Sequence, residues 1–188
     1  MRILVINPGS TSTKLAVFED NTCIWVTGAH HPTSDLAPFH HINEQYEYRR
    51  KFILDLLQQA GIEIKFDGVI ARGGLLRPTP GGVYTINEQM KHDLLNSQHE
   101  HACNLGALIA EDIATICQCP AYIADPEVVD ELQPVARLTG IPGLERISIF
   151  HALNSKAVSR RYAASVGKHY EDLNIIVAHL GGIVCPPA

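Results

Sequence analysis

The sequence lacks the short motifs that mark many nucleotide and hydrolase sites. Neither GxxxxGK[ST] nor GxGxxG occurs, which argues against P-loop and Rossmann readings. There is no GxSxG and no HExxH, so a hydrolase elbow and a zincin helix lack their signature. Positive charge is not in excess: the net charge is −5, which leaves no basic footprint for nucleic acid. Cysteine is sparse, and its five copies (Cys23, Cys103, Cys117, Cys119 and Cys185) are an odd number without framework spacing. That suits reduced thiols in a cytoplasm. No apolar run reaches the length of a membrane span, and one Arg before a short apolar run is not a signal peptide. A cytoplasmic location without membrane contact is therefore expected. No fixed-period repeat or low-complexity tract is visible.

What is present is ordinary in bulk. The 188 residues are 46% hydrophobic and 19% charged, as in a soluble globular chain of one domain, or one and part of another. A chain of this size buries roughly 70% of its unfolded surface, so it needs no disulfide or metal staple.

The distinctive stretch is the first. An apolar run over 3–6 leads into Asn7, a turn of Pro8, Gly9, Ser10, Thr11 and Ser12 follows, and the chain returns over 13–18. Apolar runs interrupted by Gly and hydroxyl residues read as strand, turn, strand. Gly9 lets a backbone come close, the three hydroxyls and the N–H groups can donate, and Lys14 adds a positive charge, which together suit a phosphate. An ordinary polar hairpin turn fits the same residues.

Farther along, 23–27 reads as a third antiparallel strand, and 28–42 as a loop whose His30-His31 and His40-His41 pairs are solvated rather than metal-binding. A helix is expected over 43–60, with Gly61 as its stop. A strand over 66–71 ends at Arg72-Gly73-Gly74. There the glycines clear space beside a guanidinium able to fork onto a carboxylate or phosphate, although a surface Arg before a flexible turn is the plainer reading. A strand over 83–86 precedes a helix over 88–98 capped by Asn87. A second helix runs from Cys103 or Asn104 to Cys117, with an anion site or simple capping at its N-terminus. Cys117 and Cys119 have no second pair at zinc spacing. A strand over 120–124 ends in Asp125-Pro126, where the carboxylate points into a cleft, caps a helix, or both. Beyond mixed short elements over 127–146, a strand over 147–150, a helix over 152–166 and a strand over 174–180 are expected. Gly181-Gly182 beside His179 would close the last as a second phosphate clamp.

These segments, in this order, resemble the butyrate kinases, short- and branched-chain fatty-acid kinases of the acetate kinase group, within the wider family of sugar kinases, actin and Hsp70 ATPase domains. The matching stretches are Ile6-Asn-Pro-Gly-Ser-Thr-Ser-Thr-Lys14, Ala71-Arg-Gly-Gly-Leu-Leu-Arg-Pro78, His101-Ala-Cys-Asn-Leu-Gly-Ala107, Asp125-Pro-Glu-Val-Val-Asp130, Ser148-Ile-Phe-His-Ala-Leu-Asn154 and Val177-Ala-His-Leu-Gly-Gly182. The resemblance implies an α/β fold. It would be a ribonuclease H-like (actin-like ATPase) lobe over 1–146, with a mixed sheet flanked by helices, and the start of a second similar lobe over 147–188. It also implies reversible phosphoryl transfer from ATP, with Mg²⁺, to the carboxylate of butyrate or isobutyrate. On matching positions, Asn7 would sit at the metal and phosphates. Gly9, Ser10, Thr11, Ser12 and Lys14 would hold ATP phosphates. Arg72 would hold the acyl carboxylate or the moving phosphoryl group with His101 beside it, and Asp125 would support the metal. His179, Gly181 and Gly182 would begin the second phosphate loop.

The chain also departs from that pattern. Ser155 stands where acetate kinases carry a second histidine past the Phe-His pair, and Ile183 follows Gly182 where the family continues with a third glycine. The family's chains are about twice as long, so the sequence reads as a truncated or frameshifted product with little or no activity. Apolar surface on its last helix and strand would then be left for a partner chain or homo-oligomer to cover. Acetate or propionate kinase is the alternative activity. A non-catalytic anion-binding or assembly fragment is the alternative role.

Overall fold

The computed structural model describes residues 1–97 and 99–178. The chain opens with β1 (Arg2–Pro8), β2 (Ser12–Glu19) and β3 (Thr22–His30). A short turn of helix, α1 (Thr33–Leu36), and a 3₁₀ turn over Ile42–Gln45 lead into α2 (Tyr46–Gln59). Next come β4 (Gly68–Arg72), β5 (Val83–Thr85), α3 (Glu88–Leu95), α4 (Asn104–Cys117), β6 (Ala121–Ala124) and α5 (Ala152–Ser165). The strands form one mixed sheet in the order β3-β2-β1-β4-β6-β5. β1 pairs antiparallel with β2 and parallel with β4, β4 pairs parallel with β6, and β5 closes the edge antiparallel to β6. The expected mixed α/β lobe is therefore the observed one.

Alternation decides which face carries the core. Leu4 and Ile6 on β1, Leu15 and Val17 on β2, Val69 and Ala71 on β4 and Ile123 on β6 all turn to one side and are buried, as a period of two requires. Ile53 and Leu57 of α2 and Leu105, Ile109 and Ile113 of α4 cover them. Gly106 lets α4 lie close against the sheet: a Cβ there would stand 2.9 Å from the Arg72 carbonyl oxygen.

The topology also sets where the chemistry goes. β1, β4 and β6 are neighbouring parallel strands, and their carboxyl ends deliver Asn7, Arg72 and the residue after Ala124, Asp125, to one rim. Crevices beyond the carboxyl ends of parallel strands are where α/β sheets hold ligands.

Several expectations fail in instructive ways. Residues 28–42 are not simply a loop: β3 continues to His30, and short helical turns follow. His31 is not solvated. It is buried, with its imidazole against Thr13 Oγ1 (2.8 Å) and the Tyr48 hydroxyl (3.3 Å) and packed on Phe52. The helix expected to reach residue 98 ends at Leu95. Residues 147–150 form no strand. Their hydrogen bonds go to a loop instead, from Phe150 N–H to the Glu127 carbonyl (3.0 Å) and from the Ser148 hydroxyl to the Val129 carbonyl (2.6 Å). Residues 174–178 form no strand either, and Ile176 is 99% exposed. An apolar run becomes a strand only where a neighbouring edge accepts its hydrogen bonds, and 174–178 pairs with no described strand. Among the described residues no helix is long and apolar enough to cross a membrane. The cysteines among them are free.

Candidate active site

A cleft of about 380 Å³ opens at the rim, lined by Asn7, Lys14, Arg72 and Asp125 together with Glu127 and the start of α5. Asn7 and Lys14 face each other across the β1–β2 ladder. The turn beyond them is closed by the Gly9 N–H donating to the Ser12 carbonyl (2.7 Å). The first hairpin is thus what the sequence predicts, with its polar turn standing above residues that enter the cleft.

Arg72 ends β4, half-buried, with its Nε in ion-pair contact with Glu127. Glu127 is itself buried, and neither carboxylate oxygen receives a well-directed hydrogen bond although the guanidinium is within ion-pair range. Burial pushes its carboxyl above the usual range, against the pull of Arg72. A carboxyl group therefore already occupies the arginine expected to hold a carboxylate. The two glycines after Arg72 serve the backbone rather than clearing space for the guanidinium. A Cβ on Gly73 would stand 2.5 Å from Pro126 Cβ, and one on Gly74 would stand 2.8 Å from Asn104 Cα.

Asp125 is held in the left-handed region, φ 35°, a conformation L-residues adopt at a cost and that recurs at functional sites. Reciprocal bonds to Gly82 impose it: the Asp125 N–H donates to the Gly82 carbonyl (2.9 Å), and the Gly82 N–H donates to Asp125 Oδ1 (2.9 Å). No helix follows, so Asp125 is not the N-cap that Asp-Pro also allowed. Lys156 of α5 reaches the same oxygen at 3.5 Å and Glu131 at 2.8 Å. Its ammonium is raised above the ordinary lysine value because these carboxylates outweigh its desolvation.

His101 is partly buried beside Cys103, its Nδ1 2.8 Å from the thiol sulfur. Burial lowers its pKa first, and the charges of Arg72 and His151 lower it further. It neighbours Arg72 electrostatically without lining the cleft. His151, at the N-cap of α5, does line it. His179, Gly181 and Gly182 lie outside the described residues.

Asn7, Lys14, Arg72 and Asp125 are thus brought together, and the turn residues Gly9, Ser10, Thr11 and Ser12 lie next to them in the hairpin. Sequence reading missed Glu127, Lys156 and Arg49. Glu127 lies inside the Asp125–Asp130 stretch, two residues past Asp125. Lys156 follows the Ser148–Asn154 motif on a helix face with no local signature. Arg49 looks like any charged residue of an amphipathic helix, yet it is fully buried.

The cleft suits the phosphates of a nucleotide. The Ser10 and Thr11 N–H groups have no acceptor among the described residues, and Lys14 is exposed nearby. Among the described residues there is no group of three His, Cys, Asp or Glu that could hold a metal ion. Mg²⁺ commonly takes one or two protein ligands together with substrate phosphates and water, a need that Asn7 and Asp125 could meet.

A six-stranded sheet with this order and a polar turn between its first strands defines a class. A crystal structure of Porphyromonas gingivalis acetate kinase matches it with a TM-score of 0.60 at 16% identity, over 90% of this chain and 50% of that one. At that identity the match speaks for fold, and the fold is the actin-like ATPase fold. No family model matches the chain. Sequence goes further: a probable butyrate kinase of Phocaeicola vulgatus is 74% identical over 182 residues, covering 97% of this chain and 51% of that protein. A second, of Bacteroides thetaiotaomicron, is 51% identical over 183 residues, covering 97% of this chain and 52% of that protein. The chain belongs to the butyrate kinase family, and it spans about half the length of the curated relatives it matches.

Proposed function

We propose that this chain supplies the phosphate- and carboxylate-binding lobe of an ATP-dependent kinase that phosphorylates short-chain fatty acids, butyrate or isobutyrate. The observation that carries the reading is the convergence of Asn7, Lys14, Arg72 and Asp125 on one cleft at the carboxyl ends of three parallel strands. Residues 1–146 would form this lobe and 147–188 the beginning of a second.

Phosphoryl transfer asks a protein mainly for alignment and for positive charge around the equatorial oxygens. Mg²⁺-ATP, when bound, supplies the transferable phosphoryl group. Lys14 and the N–H groups of the turn would hold its phosphates, and Asn7 and Asp125 would face the metal. Arg72 would fork onto the acyl carboxylate and aim one oxygen at the phosphorus, a planar match that lysine cannot make. That carboxylate is already ionised near neutral pH, so no strong base is needed. His101, held with a depressed pKa beside Arg72, would stay neutral and add no second positive charge there.

The pairings in the cleft restrain turnover in this chain. Arg72 is engaged by Glu127 and Asp125 by Lys156, so each must exchange a partner before it serves a substrate. The test is hydroxylamine trapping of acyl phosphate by the purified 188-residue chain, with acetate, propionate, butyrate and isobutyrate compared. Calorimetry with Mg²⁺-ATP and butyrate accompanies it. Heat with both ligands and slow or no trapping is expected. Absence of heat with either ligand would reject the assignment. Fast trapping would reject the claim that the pairings restrain turnover, and a preference for acetate would move the chain toward the acetate kinases.

A further inference from the structure

We infer that Arg49 is a positioning residue that shapes the first turn for an anion, an inference that rests on the reading of residues 9–12 as a phosphate site. Arg49 projects from α2 and is fully buried. Its Nη1 donates to the Gly9 carbonyl (2.9 Å), its Nη2 to the Ser10 carbonyl (2.8 Å) and its Nε to Gln45 Oε1 (2.9 Å). One planar guanidinium thus grips two successive peptide groups of the turn.

The grip determines where the donors point. In a trans peptide the carbonyl and the N–H of the next residue lie on opposite sides. Turning the Gly9 and Ser10 carbonyls inward to Arg49 therefore turns the Ser10 and Thr11 N–H groups outward. Neither N–H has an acceptor among the described residues. Successive outward N–H groups form an anion-binding concavity. Arg49 arranges it from beneath without touching the anion.

Charge adds a second argument. Buried cations are normally paired with a carboxylate, yet Arg49 has no ion-pair partner among the described residues. Burial is the dominant influence on it, with only Tyr48 opposing. Its field reaches His31 and His101 and lowers both. A buried cation behind a turn whose carbonyls it holds reinforces the positive potential on the outer face, where an anion would balance it. The plainer role for Arg49, a helix residue satisfying loop carbonyls, accounts for the bonds but not for a charge kept without a counter-ion.

The test uses the ¹⁵N-labelled 188-residue chain with inorganic pyrophosphate as the probe, comparing the unaltered sequence with Arg49→Lys and Arg49→Met. Pyrophosphate is expected to shift the Ser10 and Thr11 amides of the unaltered chain. Arg49→Met is expected to weaken binding by about tenfold or more, the scale of a lost charged hydrogen bond. It should also drop the order parameters of Ser10 and Thr11 from about 0.85 to below about 0.6, while those of Leu4, Val69 and Ile123 hold. Arg49→Lys keeps the charge but not the fork and should fall between. Both variants binding as tightly as the unaltered chain, with an equally ordered turn, would overturn the inference. No amide shift in the unaltered chain would instead refute the phosphate reading, and the order parameters would still decide whether Arg49 holds the turn. If Arg49→Met does not fold, Arg49→Lys decides by the same two measures.

Discussion

Mild acid should destabilise this protein through its buried imidazoles, His31 above all. His31 sits on buried Thr13, against Tyr48 and Phe52, and burial together with the Arg49 charge depresses its pKa to about 4. In the unfolded chain the same group titrates near 6.5. Between those values the unfolded state binds more protons than the native one, so stability falls as pH falls, beginning below about 6.5 and levelling off below about 4. At pH 5 the linkage relation gives a loss of up to about 2 kcal/mol relative to pH 7. Tyr48 is half-exposed, and water there screens part of the effect, so about 1 to 2 kcal/mol is the working figure. Urea unfolding at pH 7 and pH 5, for the unaltered chain and for His31→Gln, isolates this group from the carboxylates. The unaltered chain should lose about 1 to 2 kcal/mol more than the variant over that interval. Equal losses in both proteins, or an imidazole titrating near 6.5 by NMR, would refute the reasoning. The consequence extends to the site, because the His31 N–H holds the Thr11 carbonyl at 2.9 Å and so ties the turn to β3.

Other perturbations test other joints. Glu127→Gln removes the negative charge that engages Arg72, and butyrate binding measured by calorimetry should tighten several-fold; weaker binding would mean that Glu127 orients the arginine rather than competes for it. Gly74→Ala places a methyl group 2.5 Å from Leu94 Cδ2 and 2.8 Å from Asn104 Cα, and should cost about 1 to 3 kcal/mol in urea unfolding. Ile109→Ala opens a void in the core between α4 and the sheet and should cost about 2 to 5 kcal/mol by the same assay.

Much of the lobe was legible because its signals were local. Apolar runs and turn chemistry marked β1 and β2, and the 3.6-residue period marked α2 and α4. Arg72 and Asp125 stood out because each follows a strand, Lys14 because it puts a charge beside the polar turn, and Asn7 through the resemblance. Partnership over distance was not legible. The runs over 147–150 and 174–178 have strand-like composition but no available sheet edge. The burial of His31 depends on Thr13 and Tyr48, which only β2–β3 pairing and α2 docking bring to it. Arg49 lies on an amphipathic helix, where a charge carries no local mark of burial. The sequence shows its charge but not that the face beneath the turn is where that charge goes.

The parallel strands have a kinetic consequence. The β1–β2–β3 meander needs only contacts close in sequence, so it can form early. Arg72 and Asp125 join Asn7 and Lys14 only after β4 and β6 pair beside β1, across long loops that are slower to close. Once α2 docks and Arg49 takes the Gly9 and Ser10 carbonyls, the anion-binding turn would exist before the rest of the site does. A ligand touching the turn alone should leave the unfolding rate nearly unchanged. One bridging the turn to Arg72 would lock the last-formed pairings and slow unfolding directly.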